Sequence, residues 1–388
     1  MKRDNKAPQK GAERGISKRA RIIFRVLYIL LLVVVSITSF SIGAVFAYKD
    51  YLFSLPAYVP VNVEATMVNE EGSFVNISEV IAAETTVIPI PQYDHIHNIL
   101  LIGTDSRSQT YSQSGAGSRA DIIMVMSVDE KESSIKLISI ARDSYAFIPG
   151  FDNPEKINAA MAYGGPELLM ATIEGALRIE LDEYAFVNFY HMEKVIDTVG
   201  GVYVHVSEAE RTAEGGLNSL LSFDNLERNI DINTGLVAQS GTQKLYGRQA
   251  VAYSRIRYVG NGDYDRSNRQ VEVLQSLLKQ FTSISLKDQA STMEHILPHV
   301  ATNISQDQIE WYAFSFLSKL ESPEFVYKQL PIEGYFNQGM YSDITPGQWS
   351  IRPDWNGMIP IVQEFIYGET FPVDPVPLIP KAPEMTVD

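Results

Sequence analysis

The stretch VLYILLLVVVSITSFSIGAVFAY, Val26 to Tyr48, contains no charged residue. Wound as a helix with a rise of about 1.5 Å per residue it is about 35 Å long, enough to cross a hydrocarbon core of about 30 Å. Met1 to Arg25 carries nine Lys or Arg against Asp4 and Glu13, so the rest of a chain of net charge −15 is strongly acidic. Basic residues before a span stay in the cytoplasm, which places everything after Lys49 outside. A cleaved signal peptide is the rival reading. Against it, Ala47 follows Val45 rather than a small residue, and the run exceeds the usual length of about 7–15. An uncleaved signal-anchor, a single transmembrane helix with a cytoplasmic N-terminus, is the expectation.

The chain divides accordingly. A basic cytoplasmic tail spans 1–21, the membrane anchor 22–48 and an extracytoplasmic spacer 49–91, where prolines favour extended chain. A folded domain spans 92–370, and 371–388 is a proline-rich tail expected to lack structure. With 388 residues, 45% of them hydrophobic, the chain can bury a sizeable core. It has no cysteine, which excludes disulfides and thiolate chemistry. His95 and His97 form an H-x-H pair without a third ligand at zinc-like spacing, and read as ordinary loop or strand histidines.

Within the domain, HNILLIGTD, ADIIMVMSVDE and SSIKLISIARD are apolar runs that read as strands, the last two joined by a tight turn at EKES. GGPELLMATIEGALRI reads as a helix with Pro166 in its first turn, and YHMEKVIDTVGG as a helix stopped by Gly200 and Gly201. VYVHVS reads as a strand, GRQAVAYSRIR as ending in an extended run, and RSNRQVEVLQSLLKQFTSI as an amphipathic helix. The region 286–368 looks more helical. The expected fold is α/β, a mixed central sheet flanked by helices in an α/β/α sandwich.

The charged residues fall at the ends of these elements. Asp105 and Arg107 follow the first strand. Arg119 and Asp121 lie two apart at the start of the second, and Arg142 and Asp143 end the third. Arg255 and Arg257, two apart in an extended run, would share a face. Arg266, Arg269 and Gln270 would share one side of the following helix. Guanidinium forks bind phosphate bidentately, and carboxylates suit a hard cation that shares its shell with substrate phosphates. The composite is an arginine-plus-metal clamp for a pyrophosphate. Such a cluster repels itself when empty and so calls for an anion. The competing account is that Asp263, Asp265 and other acids neutralise these arginines as surface ion pairs.

The segments LLIGTDSR, SRADIIMVMSVD, ISIARDSYAFIPG, KINAAMAYGGPELLMATIE, VNF, DTVGGVYVHV, YGRQAVAYSRIR and GDYDRSNRQ, in this order over residues 96–285, closely resemble the LytR-CpsA-Psr family of bacterial cell-wall enzymes. The resemblance implies an outward-facing phosphotransferase. Its substrate would be an anionic glycopolymer (teichoic acid, capsule or a related glycan) on a polyprenyl-pyrophosphate carrier in the bilayer, and its acceptor a sugar hydroxyl of peptidoglycan. It implies Asp105 and Asp121 as organisers of Mg²⁺, with Mn²⁺ as a substitute, and Arg119, Arg142, Arg255, Arg257 and Arg266 as the pyrophosphate clamp. Arg269 and Gln270 would lie near the head group. Asp263 would hold the metal or deprotonate the acceptor, and Lys156 is a lesser candidate. Asp105, Arg119, Asp121 and Asp263 are the implied catalytic set. The chain departs from the family at Ala141, where proline is usual, and at Ile122, where threonine is usual. Leu168, Leu169, Ile173, Phe186, Phe189 and Val195 are apolar enough to line a lipid groove but read better as ordinary core, so no lipid site is assigned by residue. A polyprenyl-pyrophosphate hydrolase using the same residues and a non-catalytic envelope regulator are the alternatives. An acidic outer domain argues against nucleic acid as partner.

Overall fold

The computed structural model describes residues 66–68, 73–84, 93–106, 117–181, 183–312, 325–341 and 348–379. The basic tail, the expected anchor and Arg107 lie outside the described residues. Among the described residues no helix is long and apolar enough to cross a membrane.

In chain order the elements are as follows. A hairpin of β1 (Thr66–Val68) and β2 (Phe74–Asn76) leads into α1 (Ile77–Glu84). Then come β3 (Ile96–Thr104), β4 (Ile122–Asp129), β5 (Ser134–Ile140), the short pair β6 (Tyr145–Ala146) and β7 (Glu155–Lys156), and α2 (Ala159–Leu177). They are followed by β8 (Glu183–Asn188), α3 (Phe189–Val199), β9 (Val202–Val206), α4 (Glu208–Thr212), α5 (Leu217–Glu227), β10 (Gly241–Leu245) and α6 (Gly247–Ser254). The remainder is α7 (Asp263–Ser283), α8 (Leu286–Ile296), β11 (Ala301–Thr302), α9 (Gln306–Glu310), β12 (Phe325–Leu330), β13 (Phe336–Tyr341), β14 (Gln348–Pro353) and α10 (Trp355–Tyr367).

Six strands form the central sheet in the order β11-β8-β3-β4-β5-β12. β3, β4 and β5 are antiparallel neighbours, while β8 runs parallel to β3 and β12 parallel to β5. The sheet is therefore mixed, as the sequence leads one to expect. Its strands are apolar almost throughout because both faces are covered. Leu100, Ile102, Ile123, Val125, Ile138 and Ile140 pack on one face with α2 and α10. Met124, Val128, Ile135 and Leu137 alternate onto the other and meet Val271 of α7.

Several local expectations hold for the stated reasons. The turn after β4 is tied by the Asp129 side chain, which accepts from the Lys131 and Glu132 amides. Gly200 ends α3 in a left-handed conformation, φ 92°. α2 is broken at Gly164–Gly165, and its longer half restarts at Pro166.

Other expectations are corrected. GRQAVAYS is helix α6, and Arg255 caps its C-terminus rather than lying in a strand. An internal helix leaves no two-residue alternation to put Arg255 and Arg257 on a common face. Gly103 lies in β3 opposite Ile122, where a Cβ would come within 2.9 Å of the Ile122 side chain. The region after Leu286 supplies strands as well as helices: β11 and β12 join the central sheet, and β13 pairs with β14. The spacer contributes Met67 and Ile77 to the core. Residues 371–379 of the tail lack regular structure yet are docked, because Asn356 exchanges hydrogen bonds of 2.7 and 2.8 Å with the Val376 backbone. His97 pairs with Glu130 at 2.8 Å. Among the described residues no group of three or more metal-ligating side chains is found.

Candidate functional site: an ionic cleft beside an apolar cavity

The ends of β4 and β5 and the first turns of α7 converge on one cleft, lined by Asp121, Ser139, Ala141, Arg142, Asp143, Asp263, Arg266, Ser267 and Gln270, with Ile351 of β14 closing one side. Asp121 directly precedes β4, and its amide donates to Gly103 O at 2.8 Å. One carboxylate oxygen accepts from the Asp105 amide at 3.1 Å, and the other is held by Arg142. Burial pushes the Asp121 carboxyl above its ordinary value; Arg142 opposes the shift and nearby Asp105 reinforces it.

Arg142 also reaches Asp143 at 3.5 Å, and Asp143 takes a 2.9 Å bond from Lys156. Burial raises Asp143, but Lys156 and Arg142 together outweigh it, so the carboxyl lies below the usual range. Burial lowers Arg142, yet Asp121 and Asp143 prevail and hold its guanidinium firmly charged. On the helix side, Arg257 forks onto Asp263 through Nε and Nη2 at 2.9 and 3.0 Å, and Arg266 Nη1 lies 3.1 Å from the same carboxylate. Burial, with Arg142 and Arg257 nearby, pulls the Arg266 guanidinium below its ordinary value against the attraction of Asp263. Its Nε is buried with no hydrogen-bond partner among the described residues.

Four cations, Arg142, Lys156, Arg257 and Arg266, thus pair with the carboxylates of Asp121, Asp143 and Asp263, with exposed Asp105 adding a fourth negative charge near Asp121. The expectation of a self-repelling arginine cluster is corrected, because aspartates interleave with the guanidiniums and neutralise them. Asp263 belongs to that network, while Asp265 instead accepts from the Asn261 amide at 2.8 Å.

The remaining candidates divide. Gln270 lines the cleft, one helical turn beyond Arg266. Arg119 is exposed in the segment before β4; burial and Glu155 raise the Tyr163 phenol, and Arg119 opposes them. Arg255 is engaged by both oxygens of Asp224, at 3.1 and 3.0 Å, and lies 5.2 Å from the Phe189 ring centroid. Arg269 is buried and does not line the cleft: it bonds Glu210 at 2.6 Å and the carbonyls of Ile256 and Val259 at 2.9 Å each. All three of its guanidinium nitrogens are engaged by protein acceptors. Arg269→Ala strands the Glu210 carboxylate and two carbonyls, so it is expected to cost about 3–5 kcal/mol in denaturant unfolding. Arg257, half-buried and paired to a half-buried Asp263, should cost no more than about 1 kcal/mol when changed to Ala.

Asp143, Ser267 and Ile351 were not assigned roles from the sequence. Ile351 comes from far along the chain, and its amide donates to Asp143 O at 3.0 Å. Ala141 fits its position: its N–H donates to Leu330 O at 2.9 Å, tying β5 to β12, which proline could not do.

On the opposite face of the sheet from α2 lies an apolar cavity of about 190 Å³. Ile99, Leu101, Met126, Ile135 and Ala185 floor it, and Leu278, Met293, Ile296 and Leu297 cover it. The groove residues suggested by sequence do not line it. Leu168, Leu169, Ile173 and Phe186 are in the packed core of the first face, the first three of them fully buried. Phe189 belongs to the cluster around α3, β9 and α6.

The fold and the cleft define the class: a mixed-sheet α/β domain whose central strands end in a charge-balanced crevice, with an apolar chamber behind. The pattern of the LytR_cpsA_psr family matches residues 59–348, and the chain belongs to that family. It is 31% identical over 240 residues to the polyisoprenyl-teichoic acid–peptidoglycan teichoic acid transferase TagU of Bacillus mycoides (strain KBAB4), a match covering 61% of this chain and 69% of that one. It is 33% identical over 220 residues to the regulatory protein MsrR of Staphylococcus aureus (strain COL), covering 56% of this chain and 60%, less than two thirds, of that one. Among solved structures it resembles TagT bound to LI-WTA, with a TM-score of 0.52 and 26% identity, covering 71% of this chain and 94% of that one.

Proposed function

We propose that this chain is a membrane-anchored phosphotransferase that moves an anionic glycopolymer from a polyprenyl-pyrophosphate carrier to peptidoglycan on the outer side of the membrane. The observation that carries the reading is the juxtaposition, along α7, of a guanidinium-lined cleft at Arg266–Gln270 and an apolar chamber at Leu278. Gln270 and Leu278 are eight positions apart on the helix, a rise of about 12 Å, and in this proposal one ligand places a charged head at the first and an apolar tail at the second. Kinship with a teichoic acid transferase agrees with this.

Arg142, Arg257 and Arg266 hold the phosphates, and the unpartnered Arg266 Nε has a donor to spare. The reaction is a displacement at phosphorus. A sugar hydroxyl oxygen of the acceptor attacks the phosphorus that bears the glycan and forms a new phosphodiester bond. The bond from that phosphorus to the bridging oxygen breaks, and polyprenyl phosphate leaves with the electron pair. The hydroxyl proton passes to Asp263.

Mg²⁺ fits the donor set. Asp105 and Asp121 would hold it, and two carboxylates suffice for an ion that completes its shell with water and phosphate oxygens. Because the cleft is already charge-balanced, a doubly anionic pyrophosphate diester calls for a divalent cation, which would supply charge neutralisation.

The test is a reconstituted assay with the full chain in nanodiscs, a lipid-linked glycan donor and peptidoglycan fragments. Polymer attachment should require Mg²⁺, stop with chelator and resume with Mn²⁺. Full attachment by Asp121→Ala, or by wild type in chelator, would sink the assignment. The same protein in whole cells should be cleaved by external protease.

A further inference from the structure

We propose that Tyr258 is the seat of the first sugar of the donor glycan, a specificity-determining residue next to the charged cleft; this rests on the donor reading above. Tyr258 is 81% exposed, directly after Arg257. Exposure alone would say little, because single apolar side chains are common on protein surfaces. What sets this ring apart is how firmly it is displayed. Ile256 and Val259, flanking it, have their carbonyls tied by the buried Arg269 guanidinium. Arg257 is forked onto Asp263, and Asp265 holds the Asn261 amide. The near edge of the ring lies over Gly215: a Cβ there would meet Tyr258 Cδ2 at 2.7 Å, and Gly215 has φ +70°. Arg269 also bonds Glu210 of α4, so the turn beneath the ring and the loop that carries it are fastened to the same guanidinium.

The result is an aromatic ring almost wholly open to solvent, carried on a loop whose backbone is tied on both sides. The face of an aromatic ring is electronegative and suits the C–H face of a pyranose. A loop already tied loses little backbone entropy when its ring is used. Its position matches the order of the proposed donor. Along α7 the apolar chamber touches Leu278, the phosphate cleft touches Gln270 and Arg266, and the loop with Tyr258 precedes Asp263. Arg257, the residue before Tyr258, is paired to Asp263 of the cleft, so the loop that carries the ring adjoins the phosphate end of a donor laid tail-first into the chamber.

The experiment compares two probes on the full chain in nanodiscs with Mg²⁺: a polyprenyl pyrophosphate without sugar, and the same molecule bearing one N-acetylhexosamine. Tyr258→Ala is expected to weaken the sugar-bearing probe about three- to tenfold and leave the sugar-free probe unchanged. Tyr258→Phe, which keeps the plate, should bind both as wild type does. Equal effects of Tyr258→Ala on the two probes, or a Phe variant as weak as the Ala variant, would overturn the proposal while leaving the donor reading intact. Failure of the wild type to bind either probe would remove the donor reading, and the proposal with it.

Discussion

Arg142→Ala is expected to reduce polymer transfer at neutral pH by about 10²–10³-fold, the loss typical when a fixed donor to developing charge is removed. Two effects combine. The variant loses a guanidinium of the proposed phosphate clamp. It also leaves Asp121, which burial already pushes upward, without its main opposing charge and still beside Asp105. The sign of the pH effect follows. Asp121 must be ionised to act, and the wild-type carboxyl protonates above the ordinary aspartate value of about 3.9. Taking away Arg142 removes the influence that held it down, so the acid limb of kcat/KM moves to higher pH. Arg142→Lys keeps charge without the fork and should move the limb less while still losing bidentate contact. Asp143 should not take part in this limb, because Lys156 and Arg142 hold its carboxyl low. The measurement is kcat/KM from about pH 4 to about pH 9 for the three proteins. An Arg142→Ala limb that coincides with wild type would contradict the coupling of Arg142 to Asp121.

The same residues show what a sequence can and cannot disclose. β3, β4 and β5 were legible because each is a short apolar run bounded by charge or turn residues. Their polar ends at Asp105, Asp121 and Arg142 were legible as a crevice for the same reason. α7 was legible from its periodicity, and with it the placing of Arg266 and Gln270 on one side. GRQAVAYS misled because alanine, valine and tyrosine between polar residues suit either period. Its helical state is fixed by packing of α6 on α3, where Gly247 comes so near the Glu193 backbone that a Cβ would clash with it. Local pattern also could not separate Arg269 from Arg266, three residues apart on one helix. What divides them is Glu210, some sixty residues earlier, which claims one and leaves the other to the cleft. Ile351 and the lining of the apolar chamber were illegible for a similar reason, since they are set by which face of the sheet each distant segment covers. The candidates Leu168, Leu169 and Ile173 have the right chemistry for a lipid groove. α2 nevertheless packs them so closely that no space remains.

The chamber itself gives the other large effect. Ala185 on β8 is paired to Leu101 on one side and Thr302 on the other, so its backbone is fixed within the sheet. Its small side chain helps to floor the cavity of about 190 Å³. Ala185→Trp would fill much of that space without reaching the charged cleft. If the cavity takes the prenyl chain, wild-type affinity for soluble prenyl pyrophosphates should climb with chain length, because each buried methylene contributes about 0.8 kcal/mol. From about two to about four isoprene units the gain should be at least about tenfold per unit. In Ala185→Trp the dependence should flatten, and transfer from a long-chain donor should fall by about 100-fold or more, which corresponds to about 2.7 kcal/mol. Inorganic pyrophosphate asks only for the charged cleft, so its binding should be the same in both proteins, which also reports that the variant is folded. A steep length dependence that survives in Ala185→Trp would place the lipid elsewhere. A length dependence absent from the wild type would mean that the chamber is not a lipid site, and the charged cleft would then have to be explained without a carrier. The outcome turns on packing alone: a dense interior cannot hold a tryptophan and a prenyl chain in one small space.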